Sequence, residues 1–290
     1  MQLGQKGVFW FTDTLSPAQL VELARRSEEL GYSALWYPEA LGYECFALAS
    51  YLLTHSTKLI IGSGIANIYA RDPTATKQGQ HTLAKLSDGR FLLGLGVSHT
   101  LLVEDMRGHQ YRRPVRTMRA YLDAMDKAAA NAPVLAEPSP VVLAALGPRM
   151  TALAGERTAG AFPYNVTPEH TASARALLGP DKWLVVEQKV LLVSDPGKAR
   201  DVARQTMAFY LQLSNYRENW KRLGFSDDDL AGGGSDRFLD AMVAWGSEQA
   251  IRQRLQAHFD AGANHVCIQP LHPEGQPVPD YAALTAFAAA

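Results

Sequence analysis

Cysteine is nearly missing from this chain: 290 residues carry two, Cys45 and Cys267. They lie far apart, and neither belongs to a C-x-x-C pair. A disulfide framework and a thiolate metal site are therefore not encoded, and both are expected to be buried thiols of a reducing compartment. The H-E-x-x-H, G-x-S-x-G and Walker patterns are absent too, so zinc and serine hydrolysis have no support. No apolar run reaches the length of a membrane span. The start, MQLGQKGVFWF, lacks the basic-then-apolar order of a signal peptide, so a cytoplasmic location is expected by default. Charge is balanced, 28 Lys and Arg against 29 Asp and Glu. Nothing points to nucleic acid or an anionic membrane as partner; a small-molecule substrate is expected instead. The dinucleotide fingerprint fails as well, because Gly62-Ser63-Gly64 runs on into Ile65-Ala66-Asn67 rather than into a third glycine.

What is present is an alternation of apolar runs with capped helical segments. It is clearest from Lys58 to His99, which reads strand, loop, helix, turn, strand. The runs KLIIGSGI and RFLLGLGVSH are almost continuously apolar, as in parallel strands buried on both faces. Asp72 is placed to cap a helix opened by Pro73, and Asp88-Gly89 to turn the chain back, which makes a right-handed βαβ unit. Before it come a strand at Lys6–Phe11, a helix capped by Ser16 with Gln19 completing a capping box, a strand at Ser33–Tyr37 and an apolar helix at Phe46–Leu53. After it come a polar loop rich in His, Arg and Tyr and a helix from Val115 to Ala130. Strands follow at Pro140–Leu146, Gly160–Tyr164, Trp183–Val193 and Ala263–Pro270, and a last short helix at Tyr281–Ala288. Five helix starts pair a capping residue or glycine with proline: Ser16-Pro17, Asp72-Pro73, Gly147-Pro148, Thr167-Pro168 and Asp195-Pro196. Tyr216–Asp236, with its Asp and Gly triplets, reads as an irregular insertion. Eight strands without a linker predict a single α/β domain over residues 1–290, a (β/α)₈ TIM barrel with an insertion before strand eight.

In such a barrel the site forms at the carboxyl ends of the strands. Small residues there, Gly62 and Gly64 on one strand and Gly94 and Gly96 on the next, let a flat ligand approach the backbone, or merely let the barrel close. Asp13, Glu39 and His99 are the only metal-type ligands at those ends, and no spacing supports a metal site.

The stretches LGYSALWYPE, KLIIGSGIANIYARDP and GRFLLGLGVSH together resemble the bacterial-luciferase-like superfamily, most of all its oxidoreductases that use the deazaflavin coenzyme F(420). The resemblance covers nearly the whole chain. It implies a TIM barrel with a deazaflavin in its mouth, and hydride transfer to or from a small organic substrate. It also implies a non-prolyl cis peptide at Gly64–Ile65 and a homodimer. Phe46, Leu48, Tyr51 and Leu52 are apolar enough for the dimer contact, and equally for the barrel's own core. FMN, as in the monooxygenases of the same superfamily, is the alternative cofactor; a non-catalytic flavin-binding barrel is the alternative of another class.

The site expected on this basis has Glu39 and His99 as catalytic residues. Where the resembling families often carry a histidine after strand two, this chain reads Tyr37-Pro38-Glu39. Glu39 either exchanges the proton that accompanies the hydride or pairs with an arginine. His99 either serves the cofactor edge as proton donor or bonds a backbone carbonyl. Gly64, Ile65, Asn67, Gly96 and Ser98 are expected to bind the cofactor ring. Leu146, Gly147, Arg149 and Thr167 are expected to hold its phosphate, since two helices start there and their free N–H groups and dipoles favour an anion. Phe11, Tyr69 and Gln269 are expected to line the substrate pocket. His109, Tyr111, Arg112 and Arg113 either hold an anionic part of the cofactor or form a solvated loop.

Overall fold

The computed structural model describes residues 1–129 and 139–288. The helix predicted to reach Ala130 ends earlier: α4 runs Pro114–Lys127 and Ala128 is extended, while Ala130 itself lies outside the described residues. Eight parallel strands close a ring: β1 (Lys6–Phe9), β2 (Ala34–Tyr37), β3 (Ile60–Ser63), β5 (Phe91–Gly96), β6 (Val141–Leu143), β7 (Gly160–Ala161), β8 (Trp183–Leu191) and β10 (His265–Pro270). Closure is made by β10, which pairs with β8 on one side and with β1 on the other. Two short strands are additions. β4 (Ala66–Asn67) continues β3 past a break and pairs with β5; β9 (Val243–Trp245) pairs with the far end of β8. The break before β4 is the cis peptide Gly64–Ile65.

The helices start where their caps dictate. At α1 (Pro17–Glu29) Ser16 and Gln19 form a complete capping box. At α3 (Pro73–Leu86) the Asp72 carboxylate accepts from the N–H groups of Thr74 and Ala75 at 2.9 Å. Proline also stands in the first turn of α5 (Pro148–Arg157), α6 (Pro168–Leu178) and α7 (Pro196–Met207), where its missing N–H costs no helical bond. Asp88 and Gly89 turn the chain with φ of 52° and 80°.

Two apolar regions result. Phe9, Trp36, Ile60, Leu92, Val142, Val185 and Cys267, from seven of the barrel strands, pack together with Phe162, which directly follows β7, and fill the barrel. A larger cluster lies between the strands and the surrounding helices. Trp36 Nε1 donates to His265 Nε2 at 3.1 Å, while His265 Nδ1 bonds the Gly4 carbonyl. Burial lowers the His265 pKa to about 4, so the ring stays neutral inside the barrel. Both cysteines are buried and unpaired.

The glycines at the strand ends serve the protein's own side chains. A Cβ on Gly62 would fall 2.4 Å from the Trp36 ring, one on Gly94 would fall 2.0 Å from the Ser63 carbonyl, and one on Gly96 would fall 2.5 Å from Ile65. Gly96 is thus corrected from a ligand contact to the seat of Ile65. The insertion is also more regular than expected. It contains α8 (Ser214–Arg222), a turn-rich stretch with three successive positive-φ glycines, Gly232 to Gly234, and α9 (Asp236–Met242). Trp220, Phe225 and Phe238 pack these pieces onto the barrel as a second core. Of the four residues offered for a dimer contact or for the core, Leu48 and Leu52 are buried in α2 (Cys45–Thr54), while Phe46 and Tyr51 are half-buried, Phe46 edge-on against Phe91. Among the described residues no helix is long and apolar enough to cross a membrane.

Candidate functional site

A cavity of about 720 Å³ opens at the carboxyl ends of the strands. Of the expected site residues it is lined by Phe11, Glu39, Gly64, Ile65, Ser98, His99, Leu146, Gly147 and Arg149. Tyr111 joins them from the His- and Arg-rich loop. Five do not line it: Gly96, which seats Ile65, and four that stand elsewhere. Asn67 is buried beside the rim, where its Oδ1 accepts from the Tyr69 N–H at 2.9 Å. Tyr69 lies against His109 and Tyr111 with ring centroids 5.9 and 6.4 Å away. Thr167 heads α6 but is buried outside the lining. Gln269 sits behind the wall, its Oε1 accepting from the Tyr164 hydroxyl at 2.8 Å. Strand alternation is the reason in the last case: Gln269 lies opposite Lys189 on the strand pair and shares its buried inner position.

Glu39 is fully engaged. Arg71 donates to both of its oxygens, at 2.6 and 2.9 Å, and the Asn67 N–H adds a third bond at 2.8 Å. The Glu39 side chain is 6% exposed and that of Arg71 13%. Arg71 also bonds Glu44, which caps α2. Glu39 thus shows the arginine pairing that was its alternative, and its carboxylate ties the end of β2 to the loop after β4. Asp13 is similarly occupied, accepting from the N–H groups of Leu41 and Gly42 at 2.9 Å.

His99 is differently placed. Its Nδ1 lies 3.1 Å from Asn215 Oδ1, so Nδ1 carries the hydrogen and Nε2 is left as an acceptor. Nε2 has no partner among the described residues. Burial lowers the His99 pKa, against the opposing bond to Asn215, so the imidazole is neutral at neutral pH. An unprotonated nitrogen held by a second residue and lining a cavity can take or return a proton.

The phosphate end is open. Gly147 caps α5 without a side chain, and a Cβ built there would meet only the Arg222 guanidinium, 3.8 Å away. Arg222 comes from α8 and also bonds Asn219 Oδ1 at 3.2 Å. Asn219 Nδ2 is buried without a partner, and so is Nδ1 of His170, whose other nitrogen bonds the Leu146 carbonyl. An uncapped helix start flanked by two arginines that line the cavity fits a phosphate group. Asn219 and Arg222 escape sequence reasoning because they belong to the segment read as an irregular insertion, and Asn215 directly precedes it. Its signal is the aromatic density Tyr210, Tyr216 and Trp220, which a solvated loop does not need.

The inner wall is aromatic. Phe9, Phe11 and Tyr164 pack with centroid separations of 5.0 to 6.4 Å, and Tyr210 and Tyr216 extend the series. Under it lies a buried ion pair on β8, Lys189 and Glu187, 3.3 Å apart and each 1% exposed. Lys189 Nζ also bonds Asn165 Oδ1 and sits 4.0 Å from the centre of the Tyr164 ring. Burial raises the Glu187 pKa and lowers that of Lys189, and each charge opposes the shift of the other. Among the described residues no cluster of three or more His, Cys, Asp or Glu is placed to hold a metal ion.

A family model described as luciferase-like monooxygenase matches residues 4–265. Over 160 residues the chain is 31% identical to a putative coenzyme F(420)-dependent oxidoreductase of Mycobacterium tuberculosis, a match covering 55% of this chain and 44% of that protein. The chain therefore spans less than half the length of this relative. Over 218 residues it is 23% identical to the 5,10-methylenetetrahydromethanopterin reductase of Methanolobus tindarius, covering 66% and 67% of the two chains. Among solved structures, an F(420)-dependent secondary alcohol dehydrogenase in complex with an F(420)–acetone adduct superposes with a TM-score of 0.78 at 15% identity, over 99% and 97% of the chains. The oxygenating constituent of 3,6-diketocamphane monooxygenase from Pseudomonas putida, in complex with FMN, does so with a TM-score of 0.74 at 13% identity, over 99% and 97%. At these identities the likeness speaks for the fold alone.

Proposed function

The chain belongs to the luciferase-like monooxygenase family, and from that premise we propose that it is an oxidoreductase using coenzyme F(420), an 8-hydroxy-5-deazaflavin, to move a hydride to or from a small organic substrate. One observation carries the reading: a single cavity joins an open, arginine-flanked helix start to a neutral, partnerless His99 Nε2. Gly147, Arg149 and Arg222 would hold the phosphate, and the Gly64–Ile65 wall and Ser98 would meet the ring. Bound there, a deazaflavin supplies the acceptor or donor of the hydride.

The chain's own part is positioning and proton handling. Asn215 fixes the His99 tautomer, so that Nε2 accepts the hydroxyl proton of a substrate being oxidised and returns it in the reverse direction. The aromatic wall excludes water from that exchange. Glu39 and Arg71 keep the rim in shape without exchanging protons themselves.

An FMN-dependent monooxygenase is the second reading, favoured by the FMN complex among the structural neighbours. The same phosphate cradle suits either cofactor. Fluorescence titration with both compounds separates the two: tighter binding of the deazaflavin is expected, and tight FMN binding with none of the deazaflavin would overturn the choice. A non-catalytic barrel predicts binding of the deazaflavin with no turnover of any substrate by the unmodified chain; where turnover is present, His99→Gln tests the role of His99. Unchanged turnover in that variant, measured as deazaflavin absorbance with substrate, would remove His99 from the mechanism.

A further inference from the structure

The inner end of the cavity contrasts with its phosphate end in holding no available charge. Its wall is made of Phe9, Phe11, Tyr164, Phe209, Tyr210 and Tyr216. The rings form one connected surface: Tyr210 lies 5.4 Å from Tyr164, 5.3 Å from Tyr216 and 5.7 Å from Phe209. The cation nearest this wall, Lys189, is withdrawn from any ligand. It is 1% exposed, paired with Glu187 and roofed by the rings of Tyr164 and Tyr210 at 4.0 and 5.5 Å. A charged group pushed against this wall would lose its water and gain no counter-ion.

Polar recognition is nevertheless present, and it is neutral. The hydroxyls of Tyr164 and Tyr210 are 3.0 Å apart, and Tyr164 in turn donates to Gln269, so both are occupied. The Tyr216 hydroxyl makes no hydrogen bond among the described residues, and its ring stands 5.5 Å from that of His99. Burial holds its pKa well above the ordinary tyrosine value, so it remains a neutral donor.

We propose that this aromatic end is the substrate subsite and that it takes an uncharged aromatic or alicyclic alcohol or carbonyl compound, whose oxygen is held by the Tyr216 hydroxyl beside His99. The proposal deepens the oxidoreductase reading and rests on it for the word substrate. Flat or cyclic carbon frames match the wall because ring faces pack against ring faces and edges. Carboxylic acids and phosphate esters are therefore excluded at this end.

The test uses naphthol and its carboxylate analogue, hydroxynaphthoate, titrated at neutral pH against the full chain with and without deazaflavin, and read by naphthyl fluorescence. Naphthol is expected to bind at least ~10-fold tighter than hydroxynaphthoate, as one uncompensated charge demands. Tyr216→Phe keeps the ring and removes the hydroxyl. It is expected to weaken naphthol about 5- to 10-fold, the worth of one hydrogen bond, and to leave naphthalene binding unchanged. Equal or tighter binding of hydroxynaphthoate overturns the proposal. So does failure of naphthol to bind at millimolar concentration, or an equal loss of naphthol and naphthalene in the variant. Naphthol binding without any deazaflavin binding supports the subsite while sinking the oxidoreductase reading, so the two failures are told apart.

Discussion

Two rims face the same cavity and treat their polar groups in opposite ways. Over β2 to β4, Glu39 accepts three bonds, Arg71 serves two carboxylates, and Asp13 holds two backbone N–H groups. Over α5 and α8, Gly147 leaves its helix uncapped by any side chain, and Asn219 Nδ2 and His170 Nδ1 are buried without partners. The carboxylates of the first rim are all paired within the protein, although Thr12 Oγ1 and Tyr69 OH are buried there without partners. The second leaves a helix start flanked by Arg149 and Arg222 open to the cavity, where an anion would complete it. The difference separates a scaffold rich in charged residues from a binding site that has fewer of them.

Removing one arginine from each rim gives the sharpest contrast. Arg71→Met is expected to cost about 3–5 kcal/mol in denaturant unfolding, because it strands the Glu39 carboxylate in a buried place. A loss below about 1 kcal/mol would mean that the first rim does not depend on its ion pair.

His99 belongs to neither rim, and His99→Gln should cut turnover at least about a hundredfold while leaving deazaflavin affinity unchanged. Its pH dependence has a definite sign. Burial lowers the His99 pKa, so the unprotonated form persists below the ordinary imidazole range. In the oxidising direction kcat/KM should be flat through neutrality and fall only as pH drops through that lowered value. A fall already near pH 7 would point to another base.

On the second rim Arg222→Met should weaken deazaflavin binding roughly tenfold, the worth of a charge-assisted bond, and change stability by less than about 0.5 kcal/mol. Were stability lost and binding kept, the two rims would have to exchange roles. The smallest effect concerns His170, whose pKa is lowered by burial and then by the charge of Arg222. A bound dianion opposes the Arg222 charge and favours the imidazolium, so sulfate should bind a few-fold tighter at pH 6 than at pH 8. The thermal shift with sulfate at the two pH values reads this out, and His170→Asn should remove the difference.

The caps and strands were legible because their causes are local. Proline after Ser16, Asp72, Gly147, Thr167 and Asp195 begins a helix at each place in the structure. The cis peptide expected from the family resemblance stands at Gly64–Ile65. The glycines were legible only in part. A missing Cβ says that something comes close, not what: at Gly62 and Gly96 the visitor is Trp36 or Ile65, and at Gly147 the space is open. Glu39 illustrates the same limit, since the arginine that occupies it lies 32 residues away in the sequence.

From the order of its residues alone this chain was bound to make a parallel barrel with helix starts at its rim, since periodicity and capping act over a few residues. Which rim stays open, which tyrosine keeps a free hydroxyl and where Arg222 comes to rest were decided only on closure. Those outcomes depend on contacts between β2, α5, α8 and β8, and neighbours so distant in the chain meet only when the whole ring is packed.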